Sequence, residues 1–142
     1  MKLTKRLLAL IFCVLMIVGA TLPAFAANAR MGHGVDYTTV FQINSSGLAT
    51  VRVSYAGNAT TFTDITVETY IQKRSLGLVW TKVDNGESNK TWVDTSTSQT
   101  GTFVHNLQLD STGTYRAVFK ITFSGTGAAD DVIDEKIEYV YS

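Results

Sequence analysis

From Val35 to the C-terminus, most segments of the chain alternate apolar and polar residues with a period of two. Side chains of a strand point alternately to the two faces of a sheet and produce this pattern, whereas an amphipathic helix repeats every 3.6 residues. Turn-forming residues separate the alternating segments. The segments that predict strands are 35–43, 49–55, 65–72, 78–83, 103–109, 115–123 and 133–141. The alternation therefore predicts an all-β domain without an amphipathic helix.

About seven short strands predict an antiparallel immunoglobulin-like β-sandwich, in which two sheets pack face to face. A small closed barrel is the alternative. Residues 84–99 form the longest loop-like stretch, because Trp92 and Val93 are its only large apolar residues. Trp80, in the short segment before this loop, is expected to lie in the core between the sheets.

The segment 109–117 is similar to the tyrosine corner of immunoglobulin-like domains. In that motif a glycine lets the chain turn into a strand, and a tyrosine hydroxyl forms a hydrogen bond back across the corner. Gly113 and Tyr115 occupy these two positions. Ala117 stands where an immunoglobulin domain proper has its second cysteine, so no inter-sheet disulfide is expected.

The N-terminus has the three parts of a secretory signal peptide. Basic residues at 2, 5 and 6 precede an apolar run at 7–18, and small residues at 24 and 26 flank a cleavable bond. The apolar run is shorter than the roughly 20 residues of a membrane-spanning helix. We expect cleavage after Ala26, with Ala27 or Ala29 as alternatives. Residues 27–34 are then a flexible N-terminal segment, and 35–142 form the β-sandwich domain.

Cleavage changes the composition of the chain. It removes the only cysteine, the only proline and three of the 12 basic residues, so that nine basic residues face 12 acidic ones and the net charge is about −3. This mild charge gives no reason to expect attraction to nucleic acid or to an anionic membrane. We expect a secreted protein, extracellular or associated with the cell envelope, without a membrane span. The sequence carries no signal for an oligomeric state.

Several short segments carry a resemblance to a protein family. They are residues 46–51, 70–74, 113–116 and 141–142, together with Trp80 and Val83. In these segments, which are spread over most of the mature chain, the sequence resembles small secreted immunoglobulin-like β-sandwich proteins of Gram-positive bacteria. The resemblance implies export and the sandwich fold. It implies no activity, because the family has no established function.

Residue types that support catalysis are scarce. With His33 and His105 as the only histidines and no cysteine after cleavage, thiolate zinc clusters and three-histidine zinc sites are excluded. No serine lies in a Gly-x-Ser-x-Gly elbow, and no phosphate-binding P-loop is present. His105 shares a strand face with Phe103 and Leu107, which favours a partly buried, hydrogen-bonded role. We therefore predict no enzyme, no catalytic residue and no cofactor.

Five carboxylates lie close together near the C-terminus and raise the question of a calcium site. They are Asp130, Asp131, Asp134, Glu135 and Glu138. Their spacing does not match an EF-hand loop, and Asp134 and Glu138 share the phase of a solvated strand face. The pattern therefore predicts no metal site.

Two aromatic residues are candidates for ligand binding. Tyr70 is out of phase with the apolar residues of its strand, and Trp92 lies in the polar loop. An exposed ring can stack on a sugar or anchor a protein interface. The alternative for Trp92 is that its ring packs back onto its own loop. The leading hypothesis is recognition of an extracellular glycan or protein, and the alternative is a self-assembling subunit of a fibre or surface layer.

Overall fold

The computed structural model of the protein describes residues 24–25 and 34–142, and most residues in these ranges lie in strands. The strands are β1 (Ala24–Phe25), β2 (Asp36–Ile43), β3 (Leu48–Ala56), β4 (Phe62–Ser75), β5 (Val79–Lys82), β6 (Trp92–Ser96), β7 (Thr100–Gln108), β8 (Gly113–Gly125) and β9 (Asp131–Tyr141). One turn of 3-10 helix, Ser88–Lys90, is the only helical element in these ranges. The rest of the predicted signal peptide and residues 27–33, with His33, lie outside them.

The strands form two antiparallel sheets that pack against each other. The first sheet has the order β1-β2-β3-β7, and the second has the order β5-β4-β8-β9. Strand β6 also pairs with β4, on the edge that β5 occupies further along. Because the described strands form two separate sheets and not one closed sheet, the architecture is sandwich-like. The predicted all-β, antiparallel architecture is confirmed.

Alternation along each strand builds the core between the sheets. In β4 the inward residues Ile65, Val67 and Ile71 are fully buried, as the sequence pattern predicts. Strand β8 supplies the largest inward side chains, and Phe41 of β2 meets them from the first sheet. The largest fully buried residues are Tyr115, Phe41, Phe119, Phe123, Ile65, Ile71 and Ile121. Burial of such side chains is the main favourable term for a fold of this size.

Strand β6 corrects the prediction of a continuous loop over residues 84–99. Residues 92–96 pair with Ile65–Thr69 of β4 through a five-residue register. Trp92 and Asp94 point into the sandwich from this strand. The sequence pattern missed β6 because the strand is short, and because two of its three inward positions, 94 and 96, hold polar residues and break the apolar alternation.

The predicted corner at the start of β8 is present. Tyr115 Oη donates a hydrogen bond to the carbonyl oxygen of Ser111 at 2.6 Å. Gly113 has φ 147°, a backbone conformation that favours glycine. The Tyr115 ring is fully buried, so its hydroxyl needs a hydrogen-bond partner, and the Ser111 carbonyl provides it.

The prediction that Trp80 belongs to the core is wrong. In the β4–β5 register Trp80 lies opposite Arg74, on the outer face of the second sheet. The phase of the short β5 segment is ambiguous in the sequence, and its pairing with β4 settles the direction of the side chain. The indole is half-buried there by neighbouring side chains and not by the opposing sheet.

We predict that Tyr115→Phe lowers the free energy of unfolding by about 1–2 kcal/mol, because it leaves the Ser111 carbonyl without its partner. Urea denaturation measures this change. Tyr139→Phe is the matched control, since the Tyr139 ring packs edge-on against Phe41 and its hydroxyl forms no hydrogen bond with the described residues. Equal losses in the two variants would contradict a specific role for the corner.

Candidate functional site

Trp92, Asp94 and His105 form a cluster between the edges of the two sheets. The Trp92 and His105 rings stack in parallel, with centroids 4.8 Å apart and an interplanar angle of 2°. His105 Nε2 donates to Asp94 Oδ2 at 2.7 Å. The prediction of a partly buried, hydrogen-bonded His105 is confirmed, since 26% of its side chain is exposed. Because β6 and β7 belong to different sheets, the cluster holds this edge of the sandwich together.

Trp92 does not offer a free ring to a ligand. The residue is 7% exposed, and one face of the indole is covered by His105. The ring is buried, as in the alternative to ligand binding, but it packs against His105 of β7 and in the core, and not onto its own loop. Of the two predicted ligand-binding residues, only Tyr70 lies on an outer surface.

A second polar contact lies at the opposite edge of the sandwich. Thr39 Oγ1 on β2 donates to Glu135 Oε2 on β9 at 2.7 Å. Burial, together with the neighbouring Glu135 carboxylate, raises the pKa of Tyr37 above the usual value for tyrosine. Glu135 therefore acts between the sheets and is turned away from Asp134, its neighbour in the acidic segment.

The acidic segment does not converge on a metal position. Within residues 34–142, no three or more His, Cys, Asp or Glu side chains are arranged to hold a metal ion. Asp134 lies 3.8 Å from the Lys136 ammonium, on the solvent side of β9. No helix in the described part of the chain is long and apolar enough to cross a membrane.

The outer face of the second sheet carries a group of side chains that we call the cationic-aromatic face. It consists of Tyr70, Gln72 and Arg74 on β4, Trp80 and Lys82 on β5, and Arg116 on β8. Alternation places the three β4 residues on one face, and the registers bring the β5 and β8 residues beside them. This face combines three positive charges with two large rings.

Arg116 is held in place by two neighbours. Its guanidinium carbon lies 4.2 Å from the centroid of the Trp80 ring, and Nε donates to Gln72 Oε1 at 2.7 Å. Arg74 approaches the same indole at 5.9 Å. Such cation–π contacts are worth about 0.5–1 kcal/mol at partly exposed sites. The terminal nitrogens of Arg116 form no hydrogen bond with the described residues, so its outer edge is available to a ligand.

Lys82 covers the Tyr70 ring. The ammonium nitrogen lies 4.1 Å from the ring centroid and donates to the Asn89 carbonyl oxygen at 3.2 Å and to Thr91 Oγ1 at 2.8 Å. Tyr70 is half-buried as a result. The ring on which a sugar was expected to stack is thus already capped by a cation of the same chain.

Neither of the ion pairs His105–Asp94 and Lys136–Asp134 of the described part of the chain involves a cation of this face. Glu138 lies opposite Arg116 in the β8–β9 register but forms no ion pair with it. The cationic-aromatic face therefore gathers three cations that form no ion pair with the described residues, although the mature chain as a whole is predicted to be mildly acidic.

Sequence reasoning identified Tyr70 but missed Trp80, Lys82 and Arg116. Tyr70, Gln72 and Arg74 share a phase that the sequence shows directly. The missing signal was the register between strands, which brings Arg116 to Gln72 across 44 residues of chain. A single sequence does not show that Arg116 lies opposite Gln72, or that the terminal nitrogens of Arg116 form no hydrogen bond with the chain around it.

No protein-family model matches the sequence, and neither a curated protein nor a solved structure is significantly similar to it.

We predict that Asp94→Ala destabilises the protein by about 1–3 kcal/mol, because it removes the acceptor from the half-buried His105 imidazole. Asp134→Ala is the matched control, since its carboxylate is 62% exposed against 21% for Asp94. The control should cost less than about 1 kcal/mol, as exposed ion pairs do. Thermal and urea unfolding of both variants test this difference, and equal losses would argue against an inter-sheet role for Asp94.

Proposed function

We propose that the protein is an exported, non-enzymatic binding protein that recognises an acidic glycan at or outside the cell envelope. The ligand would lie on the cationic-aromatic face. The observation that carries this proposal is Arg116, whose guanidinium is held by Trp80 and Gln72 while its terminal nitrogens remain unpaired. Export and an immunoglobulin-like topology belong to the same proposal, supported by the N-terminal sequence and by the Tyr115 corner.

A fixed arginine is suited to bind an oxyanion. The guanidinium fork matches the geometry of carboxylate, sulfate or phosphate groups, and charge-assisted hydrogen bonds are stronger than neutral ones. Because Arg116 is already held, it loses little side-chain freedom when it binds. Arg74, 5.9 Å from the centroid of the Trp80 ring, supplies a second positive charge on the same surface.

The shape of the face favours an extended ligand. Neighbouring strands in a sheet lie about 4.8 Å apart, so cations on β4, β5 and β8 form a row across the strands. A polymer with repeated acidic groups can contact several of these cations at once. The Trp80 and Tyr70 rings, whose faces are already occupied by Arg116 and Lys82, would act mainly by positioning these cations.

Binding of the purified protein to polygalacturonate, with neutral dextran as the comparison polymer, tests the proposal. We expect binding to polygalacturonate alone, weakened by added salt. Arg116→Gln should reduce the affinity by about tenfold or more, as loss of a hydrogen bond between charged groups does. Arg116→Lys should also weaken binding, because lysine keeps the charge but loses the planar fork.

Lys120→Gln is the matched control for total charge. Lys120 lies on the same face of β8, opposite Glu68 and Asp134, which are both acidic. This variant should bind within about twofold of the unmodified protein, because Lys120 lies four residues from Arg116 along β8 and, unlike Arg116, is not held by an aromatic ring. Equal losses for Lys120→Gln and Arg116→Gln would indicate a diffuse charge effect and no defined site. Absence of binding to any acidic polymer would refute the proposal.

Self-assembly is the second candidate function, and strand β9 is the observation that favours it. Its 11 residues pair with β8 on one side, and no described strand pairs with the other side. Free strand edges can add a further strand, but charged residues such as Asp134, Lys136 and Glu138 discourage this pairing. Light scattering over a wide concentration range separates the two candidates, since a binding module stays at one mass and a fibre subunit grows.

A further inference from the structure

The β4–β5 hairpin turns at one end of the second sheet. Strand β8 pairs with β4 as far as Lys73, which lies opposite Tyr115, and residues 113–114 of β8 pair with β9 alone. The last two residues of β4, Arg74 and Ser75, pair with β5 alone. The end of the hairpin is therefore a short two-stranded segment that is not paired with β8, and we call it the finger.

The tip of this finger is apolar and open to solvent. Leu76 is 96% exposed, Leu78 84% and Val79 57%. Large apolar side chains scattered singly on a surface are ordinary, but adjacent ones at the end of a hairpin mark a contact surface. We call these three residues the apolar tip.

The turn at the tip holds a leucine where polar residues or glycine are favoured. Leu76 and Gly77 have φ 51° and 73°, and Leu78 N donates to the Ser75 carbonyl oxygen at 3.2 Å. The register pairs Ser75 with Val79, so residues 76–78 form the loop, and its β-turn has positive φ at both central residues. Asn-Gly is favoured in a turn of this kind, since the left-handed conformation is unfavourable for leucine. Arg74 Nε donates to the Gly77 carbonyl oxygen at 2.6 Å and braces the turn. The backbone at Leu76 is therefore strained, and an apolar side chain stands at the tip.

The side chains of the hairpin change from apolar to cationic from the tip inward. The apolar tip comes first, the opposed pair Arg74 and Trp80 comes next, and Lys73 and Lys82 follow. An anionic lipid surface has the complementary order, with acyl chains below a layer of charged headgroups. Tryptophan is enriched at that boundary, and basic residues are attracted to anionic headgroups.

We propose that the apolar tip inserts into the surface of an anionic lipid membrane, with Trp80 and Arg74 at the level of the headgroups. Insertion of about 5–10 Å, as for other interfacial segments, would bury the three apolar side chains without a membrane span. The predicted net charge of the mature chain does not indicate this contact, because the positive charge is concentrated at one end of one sheet. The inference goes beyond the proposed glycan site: Arg74 and Trp80 belong to both surfaces, but the leucines of the apolar tip would contact the lipid alone.

A lipid surface fits the tip better than a protein partner does. A stable protein interface uses about 20–30 residues on each side, and this tip is convex and presents three apolar side chains. A fluid interface accepts a narrow finger without a matching groove. A protein partner is the alternative if the protein does not bind vesicles.

Sedimentation with vesicles tests the proposal. The vesicles contain equal phosphatidylglycerol and phosphatidylcholine, or phosphatidylcholine alone, and the protein is the unmodified chain or the double variant Leu76→Asn/Leu78→Thr. Asparagine before Gly77 is the favoured residue for this turn, so the double variant should melt at the same temperature or higher. We expect the unmodified protein to sediment with the anionic vesicles, and the double variant to bind them about tenfold more weakly or worse.

The matched control is Val132→Thr/Val140→Thr, which removes two exposed apolar side chains, 62% and 68% exposed, from the outer face of β9. Its vesicle binding should equal that of the unmodified protein.

Lipids brominated in the acyl chains should quench tryptophan fluorescence of the unmodified protein, because Trp80 lies next to the tip. In parallel, the Leu76→Asn/Leu78→Thr variant should retain any binding to polygalacturonate, which separates failure of this inference from failure of the proposed glycan site.

Three results would overturn the inference. One is equal binding of anionic vesicles by the unmodified protein and the Leu76→Asn/Leu78→Thr variant, which would leave charge as the only attraction. Another is sedimentation without quenching by brominated acyl chains, which would place the protein above the headgroups. The third is absence of binding to either kind of vesicle, which would turn the search toward a protein partner for the tip.

Discussion

The fold depends on the burial of one face of β4 and β8 against the first sheet. These two long strands supply Ile65, Ile71 and Phe119 among the fully buried residues of the core. Strand β4 also pairs with β8, β5 and β6, so three strands take their positions from it. A sheet buried on one face needs strict alternation, because a one-residue shift would turn every apolar side chain to solvent.

Hydrophobic burial attracts the sheets but is not directional, and polar contacts at both edges define how they meet. At one edge His105 and Asp94 connect β7 to β6, and at the other Thr39 and Glu135 connect β2 to β9. Each contact joins strands that belong to different sheets. In an immunoglobulin domain proper a disulfide joins the sheets, whereas here half-buried hydrogen bonds at the two edges supply specific inter-sheet contacts.

On the outer face of the second sheet, contacts between neighbouring side chains restrain several of them without a cavity. Rings that would be ordinary surface aromatics are each covered by a cation, and Gln72 further restrains Arg116. Restraint of this kind lowers the entropy lost on binding. Beyond this face the hairpin ends in an apolar tip, so one end of the sheet joins two surfaces of different chemistry.

Sequence alone determined the strand pattern, the inward residues of β4 and β9, the corner at Tyr115 and the hydrogen-bonded character of His105. These features are local, since alternation and turn formation depend on residues that are close together in the sequence. The tertiary structure decided that residues 92–96 are a strand, that Trp92 is buried and that Trp80 lies on the outer face. Each of these outcomes depends on pairing between distant segments, and a single sequence does not record which residues lie opposite each other across a sheet.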